Sequence, residues 1–387
     1  MKSIQDVDVV IVGAGPAGSA CATVLSRSGV SVLLVDKARF PREKICGDCI
    51  NPKCWELFEA LGVADELRMM QLHVIDAVRV TNSQGATISS LVSNHPPSPF
   101  FSIARGELDT VLLREAQRSG AMLLEETSVV DIQWDKRWHV VTRGGQSASR
   151  STVSARFLVG ADGRNSIVAR KLSEDSYRAN GRNKTKSGEK ARVGIQWYAH
   201  YQPRIDSALE MFLFDSGYGG VVNVDEKRAN VAMVTTPELA QLAKTDVQSF
   251  LSKTLLSNVR ASKRLDDLQP LGDISAASPI FPSSHRSHHR AAFLVGDARR
   301  TVEPFTGEGI FFALQDGFST ALRLLNVIQP FLHAQSHFLD SRFWVNQIYS
   351  QALQHQWLAD RLVAFGEKIP ILIPFAAKPI LSMHVVS

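Results

Sequence analysis

The stretch from Val7 to Asp36 constrains the fold most. An apolar run, Val7 to Val12, leads into Gly13-Ala14-Gly15-Pro16-Ala17-Gly18. An Ala-rich segment with helical spacing leaves that loop, and Gly29 ends it. A second apolar run, Val30 to Val35, stops at Asp36. The pattern is strand, glycine loop, helix, strand, acid, and each part has a physical reason. Gly13 permits the tight turn, Gly15 lets backbone approach a pyrophosphate, and Gly18 lets helix and strand pack closely. Pro16 and Ala17 open the helix, whose N-terminus offers free N–H groups and a positive dipole end to phosphates. Asp36, 18 residues after Gly18, is placed to accept hydrogen bonds from ribose hydroxyls. Lys37 follows it. The motif predicts a dinucleotide without saying which.

The chain has 387 residues, enough for more than one domain. Its 21% charged and 44% apolar residues fit a soluble globular protein. The net charge of +5 suits an anionic cofactor or a membrane surface and is not clustered as a nucleic-acid partner would require. No run of 18 apolar residues is present, and Met1-Lys2-Ser3 leads directly into the first strand. The expectation is a cytoplasmic protein that binds no nucleic acid. The four cysteines are Cys21, Cys46, Cys49 and Cys54. Their CxxC has no second ligand pair, so no metal site is expected. A Cys49–Cys54 redox pair remains open, although the chain has no second GxGxxG for a nicotinamide dinucleotide domain.

Farther along, residues 72–104 alternate like sheet hairpins. Arg105 opens an amphipathic helix that ends at Gly120. The strand Ser128–Trp134 contains Val129, and a further short strand ends at Gly160-Ala161-Asp162-Gly163. Residues 173–190 are almost wholly polar, which predicts a surface loop. Four strand patterns run from Val193 to Val234, and a helix is expected from Pro237 to Leu256. Strand character returns at Ala291–Val295, then Gly296-Asp297, then Pro304 and Gly307-Glu308-Gly309-Ile310 at the start of an apolar helix.

With these three separated motifs in order, the chain resembles the FAD-dependent oxidoreductases of the para-hydroxybenzoate hydroxylase-like fold over roughly residues 5 to 325. The resemblance implies an α/β fold: a Rossmann-like FAD-binding domain, an inserted antiparallel-sheet substrate domain and a helical C-terminal segment. It implies FAD-binding parts at 1–71, 105–171 and 285–330, substrate-domain parts at 72–104 and 172–284, and a tail at 331–387. It further implies that Asp297 meets the ribityl hydroxyls and that Asp162-Gly163 lies near the cofactor. Gly307 and Gly309 then open a helix toward the flavin N1–O2 edge, and Arg105 contacts phosphates or the ribityl chain.

Phe40-Pro41-Arg42-Glu43-Lys44-Ile45-Cys46-Gly47 and Glu303–Ile310 are similar to segments of the geranylgeranyl reductase family. That likeness implies Cys46 and Gly47 beside the flavin, and reduction of a C=C bond in a hydrophobic prenyl, lipid or polyketide-like substrate. The residues leave two readings of Cys46 open: a thiol that donates a proton, and a loop position useful only through its backbone N–H. Arg300 stands where related aromatic hydroxylases more often carry histidine. In the other direction, the Tyr-x-Trp-x-Phe-Pro segment usual in the reductases is replaced by Tyr218-Gly219-Gly220-Val221-Val222-Asn223-Val224. The alternatives are an NAD(P)H-dependent monooxygenase and a flavin electron-transfer component without turnover of its own. NAD(P)H is expected only as a transient electron donor. Apolar runs at 362–381, spaced by prolines and lysines, are read as core packing, a pocket cover or a peripheral membrane contact.

Overall fold

The first strand, Gln5–Val12, buries both of its faces. Val7, Val10 and Val12 face one core, and Val9 and Ile11 face another. A strand covered on both sides reads as a continuous apolar run and belongs in the middle of a parallel sheet. The computed structural model bears this out: the strand lies parallel to Val32–Val35 on one side and to Arg150–Gly160 on the other. Met122–Leu124 extends the sheet past Val32–Val35. Arg150–Gly160 is long enough to pair twice. Its first half runs antiparallel to Arg137–Gly144, and its last three residues run parallel to Ala292–Leu294. The structure describes residues 5–92, 98–144, 149–180, 192–265, 267–277, 283–285, 289, 291–330, 353 and 355–368.

The second sheet has the order 275–277, 193–200, 228–235, 217–223, 208–214, 77–81, 87–91. Its pairs are antiparallel except Ala208–Phe214 with Ala77–Thr81. Period-two alternation divides its faces. Trp197, Phe212, Val221 and Val231 pack with Phe250 and Leu251 on one side. Met211, Leu213, Tyr218 and Val234 form a separate cluster on the other. A small third sheet, Cys49–Ile50 with Phe101–Ser102 and His73–Val74, anchors the segment that leads out of the Cys46 loop.

Two expectations change. The polar segment predicted as a loop from 173 instead continues the helix Ile167–Asn180, because Val168, Ala169 and Leu172 bury one face of it; positions 181–190 lie outside the described residues. The helix expected from Pro237 to Leu256 is broken into Pro237–Thr245, Val247–Lys253 and a short turn at Leu255–Ser257. Asp246 causes the break, since its extended backbone leaves the first helix and its carboxylate caps Ser249 N at 3.0 Å. Nearer the N-terminus, the helix Cys54–Leu61 follows a turn in which Asn51 Oδ1 accepts from Lys53 N.

Of the C-terminal segment, the described helix is Gln356–Lys368. Ala359 and Val363 pack into the Met211–Leu213–Tyr218 cluster. Asp360 fixes it to a hairpin turn by accepting from Ser83 N at 3.0 Å and Ser83 Oγ at 2.8 Å. The rest of the 362–381 apolar pattern beyond Lys368 lies outside the described residues.

Candidate active site

The glycine loop turns under strain that glycine alone relieves. Gly13 has φ +101°, and a Cβ there would lie 2.4 Å from Ala161 O. The turn is held from the opposite strand. Gly13 N donates to Val35 O, and Ala14 N donates to Asp36 Oδ2, each at 2.8 Å. Asp36 Oδ1 also accepts Ala38 N at 2.9 Å, so this buried carboxylate first shapes the loop and then presents its edge to the cavity beside it.

That cavity, about 860 Å³, runs between the two sheets. It is lined by Gly13, Gly15, Pro16, Ala17, Asp36 and Lys37 at one end, and by Val129, Asp162 and Gly163 beside them. Cys46, Gly47, Arg105, Gly296, Asp297, Pro304, Gly307, Gly309 and Ile310 also line it. Distant segments of the chain therefore meet on one cavity. Gly18 does not reach the cavity. It sits behind the loop, where a Cβ would lie 1.9 Å from Gly13 O, so its role is close packing.

The polar groups of this end suit an anionic, hydroxyl-bearing ligand. No side chain caps the helix Pro16–Arg27 at Gly15, and a Cβ on Gly15 would meet Arg42 Nη2 at 2.9 Å. Arg42 Nε is buried with no hydrogen-bond partner. Orphaned first-turn N–H groups facing an incompletely satisfied guanidinium form a pyrophosphate cradle. Asp297 lies in a short turn, Gly296–Ala298, at the end of a parallel strand. Lys44 also lines the cavity; burial pulls its ammonium below the usual lysine range, while the charge of Asp297 opposes that shift. Gly307, at φ +64°, and Gly309 bring the N-terminus of the helix Gly309–Ile328 to the same wall. These residues fit FAD.

Two motif residues have structural partners that the sequence does not reveal. Arg105 is buried and bidentate on Asp109, with Nε at 3.0 Å and Nη2 at 2.9 Å from Oδ1. Asp162 accepts Ile167 N at 2.7 Å and Ser166 Oγ at 2.5 Å, which caps the helix Ile167–Asn180. Burial raises its pKa, and these donors offset part of the rise.

Cys46 lines the cavity midway along it. Burial pushes its thiol up; the Arg105 charge pulls it down, and the Asp48 charge pushes it up again. Asp48 is 1% exposed and has φ +55°. Its Oδ2 accepts Tyr198 OH and Asn230 Nδ2, each at 2.7 Å. Asn230 Nδ2 also reaches Cys46 O at 3.1 Å. The Cys46 loop is thus tied to two strands of the second sheet. Cys49 and Cys54 are both free thiols. Cys54 is fully buried in the core, and burial raises it far above the cysteine range.

Past Cys46 the cavity changes character. Its far end is lined by Val78, Val80, Ile88, Leu209, Met211, Leu213, Val222, Met233, Val234 and Phe305. Ala359, Leu362, Val363 and Phe365 of the C-terminal helix cover it. Among the described residues, none of the charged side chains that line the cavity comes from the second sheet or from the helix Gln356–Lys368. Tyr218 stands at the junction. It stacks edge-on to Phe305 with centroids 5.2 Å apart, and its hydroxyl donates to the buried Glu303, which Arg192 holds at 2.7 Å.

The motif glycines and acids were accessible to sequence reading. Arg42, Lys44, Asp48, Tyr198, Asn230 and the Arg192–Glu303–Tyr218 group were not assigned there, and of these only the basic run Lys37–Lys44 left a visible signal.

The family model described as FAD binding domain matches residues 6–341. Menaquinone reductase of Mycobacterium tuberculosis is 30% identical over 328 residues, covering 81% of this chain and 76% of that protein. A flavin-dependent halogenase of Armillaria mellea is 26% identical over 82% of this chain and 64% of its own length. Among solved structures, PqsL of P. aeruginosa in complex with 2-aminobenzoylacetate superposes with a TM-score of 0.71 at 20% identity, covering 93% of this chain and 99% of that one. A myxobacterial chondrochloren halogenase gives 0.72 at 20% identity, over 92% and 82%. These two likenesses concern the fold.

Proposed function

The chain belongs to the FAD-binding-domain family and is an FAD-dependent oxidoreductase; from that premise we propose that it reduces a C=C bond in a long, hydrophobic substrate of prenyl, lipid or polyketide-like character. One observation carries the reading. The cavity continues from the dinucleotide cradle, past Cys46, into a chamber without a charged wall. An apolar chain gains about 25 cal/mol for each Å² it buries there, and no ionic substrate group would find a partner. The segments Phe40–Gly47 and Glu303–Ile310, similar to those of geranylgeranyl reductases, support the same chemistry.

Gly13, Gly15, Asp36, Arg42, Asp162, Asp297 and the Gly307–Gly309 turn would hold FAD. When bound and reduced, it supplies hydride. The remaining work falls to the chain. The aliphatic chamber orients the substrate, the helix Gln356–Lys368 excludes water, and Cys46 holds the proton that completes saturation. The hydride brings the electron pair of one new C–H bond, and the double bond's π pair takes up the Cys46 proton to form the other. The resulting thiolate is reprotonated from water. NAD(P)H is proposed as a transient donor. The exposed Trp357, Leu362 and Phe365 beside Arg361 and Lys368 are proposed as a peripheral contact with a lipid surface that delivers the substrate.

The test is anaerobic. Photoreduced holo-protein mixed with a detergent-dispersed polyprenyl alkene should recover its oxidised flavin absorbance without oxygen. Recovery only on admitting oxygen, with a hydroxylated product, would instead establish the monooxygenase. Failure of every substrate to outpace oxygen alone would point to an electron-transfer component.

A further inference from the structure

Gly220 sits in the middle of a central strand, Gly217–Asn223, which is paired on both sides. Glycine weakens a strand interior, and one found there marks a bulge, a sharp bend, or a close approach by a ligand or another backbone. The two neighbouring glycines have structural reasons. Gly217 has φ +154°, and a Cβ there would lie 1.9 Å from Val234 O. Gly219 faces the Phe250 side of the sheet, where a Cβ would meet Met233 Cγ at 2.8 Å and Leu255 Cδ1 at 3.2 Å. Gly220 has no such reason. Its backbone lies outside the left-handed region, and its pairing with Met211 and Ala232 runs in unbroken register. The nearest atoms to a Cβ there would be movable side-chain atoms, Met211 Sδ at 2.7 Å and Met211 Cε and Leu209 Cδ1 at 3.7 Å.

What remains is the approach of a ligand. From Tyr218 to Asn223 every other residue of the strand is buried, whereas Gly220 is partly open, and so is its cross-strand partner Ala232. Both line the cavity. The pair also lies between two fixed points on the same face of the sheet. Two residues before Ala232, Asn230 Nδ2 reaches Cys46 O at 3.1 Å. Two residues before Gly220, Tyr218 donates to Glu303 and stacks on Phe305, which leads into the Gly307 turn. The two strands run antiparallel, so these points lie on opposite sides of the pair. At about 3.4 Å per residue, each is about 7 Å away along the sheet. The bare patch is therefore centred between the Cys46 loop and the Gly307 turn.

We infer, resting on the hydrophobic-substrate reading above, that Gly220 is a specificity-determining residue: its missing side chain leaves a bare strip of sheet, shared with Ala232, against which the reacting part of the substrate lies. Backbone without a side chain is flat, and a planar C=C group can approach it closely. A side chain at position 220 would fill the strip and push Met211 into the chamber as well. The Met211 thioether at the edge of the strip is flexible and adapts to the shape of the chain that enters.

The experiment reads binding and not turnover. Farnesol, an apolar isoprenoid alcohol, is titrated into oxidised holo-protein, and the flavin absorbance difference spectrum reports its arrival. Wild type should give a spectrum that saturates. Gly220→Val places an isopropyl group on the strip. Each CH2 of the probe forced out of the chamber costs about fourfold in affinity, so displacing a pair of them weakens binding about fifteenfold. The melting temperature of Gly220→Val should not fall, because valine suits a strand better than glycine and Met211 can swing aside. Gly219→Ala is the control. Its methyl group points to the opposite face, so it should lower the melting temperature and leave farnesol affinity in place. Unchanged farnesol affinity in Gly220→Val, or an equal loss in Gly219→Ala, overturns the inference. Should Gly220→Val not fold, Gly220→Ala should still weaken farnesol severalfold, and no change there overturns it. Farnesol that binds wild type, is lost from Gly220→Val and is never reduced would defeat the reductase chemistry alone.

Discussion

Gly13→Ala tests the cradle most sharply, because its effect is worked from two separate penalties. The residue sits at φ +101°, where an L side chain meets a steric penalty of about 1–2 kcal/mol. Its Cβ would also lie 2.4 Å from Ala161 O and 2.9 Å from Asp162 Cα, both backbone atoms of a buried strand end. Relief of such overpacking typically costs about 1–3 kcal/mol. The sum is about 2–5 kcal/mol. It falls on the turn that aims Ala14 N, Gly15 and the first helical N–H groups, and on the Asp162 segment across the cavity. If half of it, about 1–2.5 kcal/mol, appears as lost ligand binding, FAD affinity drops about 5- to 70-fold. Gly29→Ala is the matched control. It also has a positive φ, +78°, but meets nothing within 4 Å, so it carries only the backbone penalty and lies away from the cavity. FAD titration followed by flavin fluorescence, with thermal melts of the apo-proteins, separates the two. Equal FAD affinity for Gly13→Ala and Gly29→Ala would refute the claim that this turn forms the cradle.

Other outcomes follow from buried charge. Arg192→Met removes the guanidinium that pairs with the buried Glu303 and should destabilise by about 3–5 kcal/mol, whereas Tyr218→Phe removes one hydrogen bond to that charge and should cost about 1.5–3 kcal/mol, both read by urea melts. Asp48 titrates at about 6 in the folded chain, above its ordinary 3.8. It therefore contributes stability that is fully present below that ordinary value and is lost as pH rises through 6, by roughly 3 kcal/mol. The stability of wild type relative to Asp48→Asn should fall by about 2–2.5 kcal/mol between pH 4 and 7. Trp357→Ser with Phe365→Ser should reduce co-sedimentation with anionic vesicles severalfold while leaving FAD binding unchanged, since both side chains are more than half exposed.

What the sequence disclosed was local. The glycine loop, Asp36, and the strand-end Asp162 and Asp297 lie within short segments whose residue types answer to turn and helix-terminus geometry. Composition misled at 173–180, where charge density suggested a loop although Val168, Ala169 and Leu172 were already spaced to bury a helix face. Helical spacing likewise hid the break at Asp246, which is encoded by a single capping carboxylate. The long-range pairs had no signal at all. Asp48 meets Tyr198 across 150 residues and Asn230 across 182, and Glu303 meets Tyr218 across 85. Nothing in one sequence marks two polar residues as partners at such separations. The apolar chamber is similar, since Met211, Leu213, Val234 and Val363 read as ordinary core until the cavity brings them together.

The central claim is that the apolar chamber beyond Cys46 presents a double bond for saturation. It is tested most directly by reacting photoreduced holo-protein with a polyprenyl alkene in D2O without oxygen and weighing the product. The account predicts a product that has gained two deuterium atoms across one C=C bond. No product without oxygen, together with a product that gains oxygen in air, would contradict it.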